Sequence, residues 1–299
     1  MDQRLHILHQ WLKQTCQSTQ YQLVPVAGGA SFRRYFRMLL DGKSYIVMDS
    51  PPEIENVISF VAIDKAFSKL GVRVPTIFHQ DLQLGFLLLE DFGDALYCQV
   101  LNDMNADKLY EQALDVIVTI QSCQQVNGWD LPCLDYNFML SELHEFVDWY
   151  LIRHLKYSLS DEEQTLLNRT FHFIVKTAAD QQQVCIHRDY HSQNLMCLAN
   201  NETGIIDFQS AMIGPITYDL VSLIKDCYIA WPEHQVRAWV QQYQTLAIEQ
   251  KILEAVDTDT FYQWFDWMGL QRHLKVLGIF ARLSHRDGKQ AYLNDLPLT

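Results

Sequence analysis

The clearest signal in this chain is the stretch Cys185-Ile-His-Arg-Asp-Tyr-His-Ser-Gln-Asn-Leu-Met-Cys197, which is followed closely by Gly204-Ile-Ile-Asp-Phe-Gln-Ser-Ala211. In the first stretch, Asp189 and Asn194 stand at the spacing H-R-D-x-x-x-x-N. In the second, Asp207 comes directly after a short apolar run. A pair of short strands is predicted between these polar positions, because apolar segments flank a turn-forming Asn-Asn-Glu-Thr segment.

These residue types in this order are typical of a phosphoryl-transfer site. In kinases the loop aspartate accepts the proton of the substrate hydroxyl, while the asparagine and the second aspartate hold magnesium on ATP. We therefore predict Asp189 as the catalytic residue. We predict Asn194 and Asp207 as magnesium ligands, because magnesium prefers oxygen ligands. The alternative is a polar hairpin in which these side chains only cap turns, and the combination of both motifs disfavours it.

Composition limits the classes of function that this chain can have. Its 299 residues suffice for two lobes with a sizeable core, and its net charge of −13 argues against binding of nucleic acid. The seven cysteines form no C-x-x-C pair, which makes a zinc site improbable and indicates reduced thiols. The sequence shows no signal-peptide pattern and no apolar run long enough for a membrane span. We therefore expect a cytoplasmic protein without a membrane partner.

The N-terminal part of the sequence predicts a small antiparallel sheet with a glycine-containing loop. Apolar segments over residues 21–26, 35–40 and 45–48 predict three strands. Between the first two, Gly28, Gly29 and Ser31 lie in a loop whose backbone N–H groups could cover phosphates. We predict these three residues as ATP-binding. An ordinary hairpin remains the alternative, because two adjacent glycines are a weak signal alone.

A second predicted ATP contact follows the apolar run over residues 86–89. The segment Glu90-Asp-Phe-Gly93 would connect two lobes, so that Glu90 and Phe92 lie beside the adenine ring. A plain strand-to-helix turn is the alternative. Beyond residue 95 the apolar spacing is mostly helical, and no flexible linker separates the halves. We predict a bilobal, protein-kinase-like α+β fold, with an ATP-binding lobe over residues 1–93 and a catalytic and substrate-binding lobe over residues 94–299.

Further motifs give the sequence a specific resemblance. The pattern H-x-D-x-H-x-x-N, which includes His191, and the segment Gly214-Pro-Ile-Thr-Tyr-Asp-Leu220 resemble the aminoglycoside phosphotransferase and choline kinase family. Together with Val47-Met-Asp-Ser-Pro-Pro52 and the segment over residues 268–289, they most resemble anomeric N-acetylmuramate/N-acetylglucosamine kinases. This resemblance implies a bacterial cytosolic monomer of peptidoglycan recycling. It would use ATP and Mg²⁺ to phosphorylate the C1 hydroxyl of an amino sugar.

One position departs from the wider kinase pattern. Met48 stands on the third predicted strand, where a lysine usually contacts the ATP phosphates. Either another cation binds these phosphates, or the protein binds nucleotides without catalysis. We predict Arg33 and Arg34 as ATP-binding, because a guanidinium can fork onto two phosphate oxygens. Alternation along the strand indicates that these two and Arg37 do not all face one way, and solvated hairpin arginines are the alternative.

Four residues are candidates for the sugar site. Trp149 and Arg153 lie one helical turn apart, where an aromatic face could stack on a sugar and a guanidinium could bind a carboxylate. Aromatic residues on a helix more often belong to the core. Tyr190 and His191 are candidates because they follow the predicted catalytic residue. The ATP-side residues would also suit a kinase of another small alcohol or of an aminoglycoside, and an acidic protein would attract such a cationic antibiotic.

Overall fold

A computed structural model describes residues 2–26, 32–199 and 202–299 of the chain. Its N-terminal part contains a five-stranded antiparallel sheet in the order β1-β2-β3-β5-β4. The strands and the two helices that pack on them are β1 Gln22–Val26, β2 Arg34–Leu40, β3 Lys43–Asp49, β4 Ile77–Asp81, β5 Phe86–Glu90, α1 Gln3–Cys16 and α2 Val57–Lys69. The predicted small antiparallel sheet is therefore confirmed.

The two faces of this sheet have different neighbours, because successive strand residues point to opposite sides. Helix α1 covers one face, where Leu8 and Leu12 pack against Phe36 and Val47. The opposite face contributes Met48 to the large core that includes α2 and the helical part of the chain. Met48 is fully buried among apolar residues. Its side chain therefore belongs to the apolar core on this face of the sheet.

The remainder of the chain is mainly helical, and its longest element runs through the middle of it. Helix α9 packs against α5, α6, α7 and a π-helical segment, Phe146–His154, that continues α5. The helices are α3 Tyr97–Val100, α4 Ala106–Gln121, α5 Tyr136–Glu145, α6 Asp161–Ala179, α7 Tyr218–Ile224, α8 Glu233–Glu249 and α9 Thr258–Asp287, with 3₁₀ segments at Phe208–Ser210 and Gln290–Leu298.

Two small antiparallel ladders lie between the sheet and the helices. Strand β6, Gln183–Ile186, pairs with β9, Met212–Pro215, and strand β7, Leu195–Cys197, pairs with β8, Thr203–Ile205. The predicted strand pair between the polar motifs is therefore confirmed. These ladders fix both ends of the segment that carries the predicted catalytic residue. Among the helices of the described residues, none has the length and apolar character to cross a membrane.

Candidate active site

The loop between β6 and β7 donates backbone hydrogen bonds to two buried carboxylates, Asp219 and Asp226, the latter from the Ser192 N–H at 2.9 Å. Asp219, near the start of α7, accepts hydrogen bonds from the backbone N–H groups of His187 at 2.6 Å and Arg188 at 3.0 Å. Arg188 adopts φ 77°, which is unfavourable for a residue with a side chain. The two hydrogen bonds to Asp219 stabilise this backbone, and therefore the direction in which the loop continues toward Asp189.

Asp189 lies partly exposed at the turn of this loop. The Asn194 side-chain amide donates to the Asp189 carbonyl at 2.9 Å, which joins the two predicted site residues. Burial by itself raises the pKa of Asp189, but the positive charges of Lys275 and Arg188 help to outweigh it, so the pKa is lowered overall. The carboxylate therefore stays ionised near neutral pH and can accept a hydrogen bond from a hydroxyl group.

Asp207 follows β8 and is brought to the same place by backbone contacts. The Ile206 N–H donates to the Asn194 carbonyl at 3.1 Å, and the His187 Nε2 lies 3.1 Å from the Ile206 carbonyl. Asp207 itself has φ 62°. Burial raises its pKa, and the negative charge of Asp189 adds to that effect, so the two carboxylates influence each other.

The side chains of Asn194 and Asp207 suit a magnesium ion. Their amide and carboxylate oxygens are hard ligands, and magnesium commonly uses only one or two protein side chains together with water and phosphate oxygens. The raised pKa of Asp207 agrees with this assignment, because a bound cation would stabilise the carboxylate form that burial disfavours. In the described part of the chain, no three His, Cys, Asp or Glu side chains are grouped to hold a metal by themselves.

The two arginines predicted to bind ATP lie on opposite sides of β2. Arg34 pairs with Asp49 and Asp2, on the face that α1 covers. Arg33 forms an ion pair with Glu55 at 2.7 Å and is close enough to lower the pKa of Asp207. Arg33 therefore lies on the side of the sheet that faces the predicted magnesium ligands.

The structure describes only some of the other predicted ATP contacts. Gly28, Gly29 and Ser31 lie outside the described residues. The Glu90 carboxylate forms an ion pair with Arg73, which lowers the pKa of Glu90 to about 2. The Glu90 side chain therefore bonds to the segment before β4. A contact of Glu90 with adenine would come from its backbone atoms. The ring of Phe92 lies beneath the Arg73 guanidinium, with 4.8 Å between the Arg73 Cζ and the ring centroid.

The four sugar-site candidates are distributed over different parts of the helical region. His191 is partly exposed, and its Nε2 lies 3.5 Å from the Asn194 amide nitrogen. Tyr190 is fully buried and donates to the Ala113 carbonyl at 2.9 Å, so the prediction that its side chain contacts the sugar is wrong. It instead packs the loop against α4, because a tyrosine between two elements can bury its ring and satisfy its hydroxyl.

Trp149 and Arg153 form a pair on the π-helical segment. The Arg153 Cζ lies 4.8 Å from the Trp149 ring centroid, and the Arg153 side chain is exposed. Within the described residues, no hydrogen bond or ion pair links either side chain to the Asp189 loop. Their role in sugar binding therefore stays a prediction.

Glu142 and Lys275, two buried charged residues near Asp189, were not recognised as part of the site from the sequence. Lys275 on α9 donates to the Tyr218 hydroxyl at 2.7 Å and lies 3.3 Å from the Glu142 carboxylate, which also pairs with Arg188 at 3.0 Å. A signal was present, because Arg272 and Lys275 are charged residues one turn apart on a helix with many apolar residues. The contacts of Lys275 with Glu142 and of Arg272 with Cys227 required the tertiary structure.

The small sheet, the Asp189 loop and the nearby polar side chains of Asn194 and Asp207 are the arrangement expected of a kinase-like phosphotransferase. The family model described as "Phosphotransferase enzyme family" matches residues 22–254. Since this is most of the chain, the protein belongs to that phosphotransferase family and is an enzyme of this class.

The similarity to known relatives extends over most of the chain. A Pseudomonas aeruginosa protein named N-acetylmuramate/N-acetylglucosamine kinase is 43% identical over 276 residues, which are 92% of this chain and 81% of that protein. A Neisseria meningitidis protein of the same name is 36% identical over 300 residues, covering 99% of this chain and 88% of that one. The resemblance to these kinases is therefore confirmed.

Solved structures of low sequence identity share the fold. A Plasmodium vivax ethanolamine kinase has a TM-score of 0.68 at 12% identity, with 98% of this chain and 87% of that chain covered. The ADP-bound aminoglycoside phosphotransferase APH(2'')-Ib has a TM-score of 0.65 at 14% identity, with 99% and 96% covered. The predicted bilobal, protein-kinase-like fold is therefore confirmed.

Proposed function

We propose that this phosphotransferase transfers the γ-phosphoryl group of ATP to the anomeric hydroxyl of N-acetylmuramate or N-acetylglucosamine. The observation that carries this proposal is the 43% identity to a kinase of that name, over 92% of this chain. The product would be a sugar 1-phosphate. A cytoplasmic role in peptidoglycan recycling follows from the same substrates, which are components of that polymer.

Asp189 is the group that acts on the sugar hydroxyl in this proposal. Its carboxylate orients the C1 hydroxyl and accepts its proton while the oxygen–phosphorus bond forms and the bond to the ADP oxygen breaks. The lowered pKa of Asp189 makes it a weak base. An anomeric hydroxyl is more acidic than an ordinary alcohol, so alignment contributes more than proton removal. The two hydrogen bonds from the loop to Asp219 support that alignment.

Asn194 and Asp207 would hold magnesium, which when bound neutralises charge on the ATP phosphates. The adenine would lie near the backbone of residues 90–92, between a lobe over residues 1–93 and a lobe over residues 94–299. Arg33 supplies the positive charge that Met48 cannot. Its position on the Asp207 side of β2 and its ion pair with Glu55 support this assignment.

Phosphorus NMR of the products tests the proposed reaction. The enzyme is incubated with ATP, magnesium and, in separate reactions, N-acetylmuramate, N-acetylglucosamine, kanamycin, choline, ethanolamine or homoserine. We expect a phosphate on C1 of one or both amino sugars, identified by its coupling to the anomeric proton. Phosphorylation of an aminoglycoside or an amino alcohol instead would overturn the substrate assignment. ATP binding without transfer to any acceptor would support a non-catalytic protein.

A further inference from the structure

Two buried cations on one face of α9 lie close to the predicted catalytic loop, and only one of them has a strong partner. Lys275 contacts the Tyr218 hydroxyl and the Glu142 carboxylate. Glu142 also pairs with Arg188, so these three charges form one satisfied network. Arg272 precedes Lys275 by one turn, which places the two side chains on the same side of the helix.

Arg272 has much weaker contacts than its burial would require. The side chain is 5% exposed, and its single hydrogen bond in the described residues goes to the Cys227 thiol at 3.5 Å. Sulfur is a weak acceptor, whereas a guanidinium carries five N–H donors. Within the described part of the chain, no carboxylate lies within 4.0 Å of it. Buried charges are normally paired, whereas the charge of Asp226 acts on Arg272 only from beyond that distance, so among the described residues the guanidinium has no directly bonded anion.

The surroundings of Arg272 connect it with the active site and contain further polar atoms that lack partners. Arg272 donates to Cys227, and both neighbours of Cys227 contact the loop: Asp226 accepts a hydrogen bond from the Ser192 N–H at 2.9 Å, and the Tyr228 ring lies 5.6 Å from the His191 ring. Among the described residues, the His191 Nδ1, the Ser192 Oγ and the Gln271 Oε1 are buried without hydrogen bonds. His191 and Ser192 are consecutive residues of the loop, whereas the Gln271 side chain is directed to Glu142, to which its Nε2 donates at 3.1 Å. Such atoms indicate a site that a polar ligand completes.

We propose that Arg272 binds the carboxylate of N-acetylmuramate and that His191 contacts a hydroxyl of the same sugar. This inference rests on the proposed function. N-acetylmuramate differs from N-acetylglucosamine by a lactyl ether that ends in a carboxylate. A guanidinium binds a carboxylate through two parallel hydrogen bonds. Arg272 is therefore a specificity residue, which the acidic sugar uses and the neutral sugar does not.

Other cations fit this role less well. Arg188 and Lys275 already share the Glu142 carboxylate. Arg153, the arginine that sequence reasoning placed at the sugar site, is exposed and stacks on Trp149. An exposed guanidinium contributes less to binding than one already removed from water. Arg272 combines burial, weak internal bonding and closeness to the loop that carries His191.

The test compares acid and neutral substrates in matched enzymes. We would measure kcat/KM for N-acetylmuramate, its methyl ester and N-acetylglucosamine with the wild type, Arg272→Gln and Arg153→Gln. In Arg272→Gln, kcat/KM for N-acetylmuramate should fall about 10- to 100-fold, the usual range for a hydrogen bond to a charged group. Values for the ester and for N-acetylglucosamine should change little. The wild type should prefer the acid to its ester, and Arg272→Gln should lose that preference.

The possible outcomes separate this inference from the proposed function. If the wild type phosphorylates neither amino sugar, the proposed function fails. If the wild type phosphorylates both amino sugars but has the same kcat/KM for N-acetylmuramate and its methyl ester, only the role of Arg272 is refuted. This comparison uses the wild type alone and needs no variant. An equal loss on all three substrates in Arg272→Gln would mean a structural role. Loss of the acid preference in Arg153→Gln alone would place the carboxylate on the π-helical segment.

Discussion

At the scale of single residues, the site keeps two non-glycine residues in left-handed backbone conformations. Arg188 has φ 77° and directly precedes the proposed catalytic residue, Asp189. Asp207 has φ 62° and is itself a proposed magnesium ligand. Such conformations cost about 1–3 kcal/mol each and persist where surrounding contacts fix them. At Arg188 the contact is the carboxylate of Asp219. The strain is therefore tolerated where it orients Asp189.

The first prediction concerns Asp189. Asp189→Asn should lower kcat about 100- to 10,000-fold, the usual contribution of a positioned acid–base group, and should leave ATP affinity almost unchanged. Steady-state kinetics with N-acetylglucosamine and nucleotide-binding calorimetry measure the two effects. Near-normal turnover would remove Asp189 from the mechanism. As a control, Asp103→Asn changes an exposed carboxylate and should keep full activity.

The second prediction distinguishes the two neighbouring arginines. Arg33→Ala should raise KM for ATP about tenfold or more, because it removes a cation on the Asp207 side of β2. Arg34→Ala should leave KM for ATP near its wild-type value but lower the melting temperature, because it breaks the pairs with Asp49 and Asp2. Kinetics at saturating sugar and thermal melts provide both readouts. A larger ATP effect from Arg34→Ala would reverse this assignment.

At the scale of secondary structure elements, α9 determines how closely the helical region packs. A β-carbon placed on Gly278 would lie 2.7 Å from the backbone nitrogen of Phe146 and 2.8 Å from the carbonyl carbon of Glu145. These atoms belong to the junction of α5 and its π-helical continuation. Glycine is therefore required at this crossing, and the crossing in turn sets the position of Lys275 beside Glu142.

The third prediction uses two glycines of the same helix. Gly278→Ala should destabilise the protein by about 1–3 kcal/mol, since backbone atoms cannot yield to an added methyl group as a side chain can. Gly269→Ala should be nearly neutral or stabilising. There the added carbon would meet the flexible Lys225 side chain at 3.1 Å, and alanine favours helix. Urea unfolding of both variants measures the difference. Equal stability of the two would show that α9 can move away from α5.

At the scale of the whole molecule, a continuous apolar core joins the sheet region to the helical region. Phe208, which follows the predicted magnesium ligand, packs between Phe60 and Phe67 of α2, at ring-centroid distances of 4.7 and 6.1 Å. Helix α2 also carries Asp64, a buried residue whose Oδ2 has no hydrogen bond among the described residues. Burial raises the pKa of Asp64 from its ordinary value of 3.8 to about 7.

The fourth prediction is a pH dependence of stability that comes from Asp64. Because its pKa is higher in the folded state, the unfolded chain releases this proton first, and stability falls as pH rises from about 4 to 7. The loss is complete about one pH unit above the folded pKa. Asp64→Asn cannot titrate, so its stability relative to the wild type should increase from about pH 5.5 to about pH 8 and then stay constant. Urea unfolding at several pH values measures this.

A matched variant controls for net charge in that experiment. Asp103→Asn removes one negative charge from an exposed position and should follow the wild-type pH curve. If Asp64→Asn also follows it, Asp64 has an ordinary environment in solution. A pH-independent gain in both variants would reflect overall charge rather than burial.

The sequence alone determined the fold class and the order of the site motifs. Asp189, Asn194 and Asp207 could be predicted because they stand at fixed spacings within short segments, where the strand pair and its turn are encoded locally. Alternation on β2 also predicted that Arg33, Arg34 and Arg37 do not share one side. The alternation could not show which side of β2 faces the active site, because that depends on where α1 and α2 pack.

Only the tertiary structure decided which side chains surround the catalytic loop. Tyr190 looked like a sugar contact because it follows Asp189, yet α4 buries it. Arg272 and His191 are 81 residues apart in the sequence, and nothing local to either predicts that Arg272 lies near the loop that carries His191. Burial and ionic contacts between distant segments depend on how whole helices pack. Spacing therefore predicts the catalytic and metal-binding positions, whereas the packing of α9 decides the proposed carboxylate site.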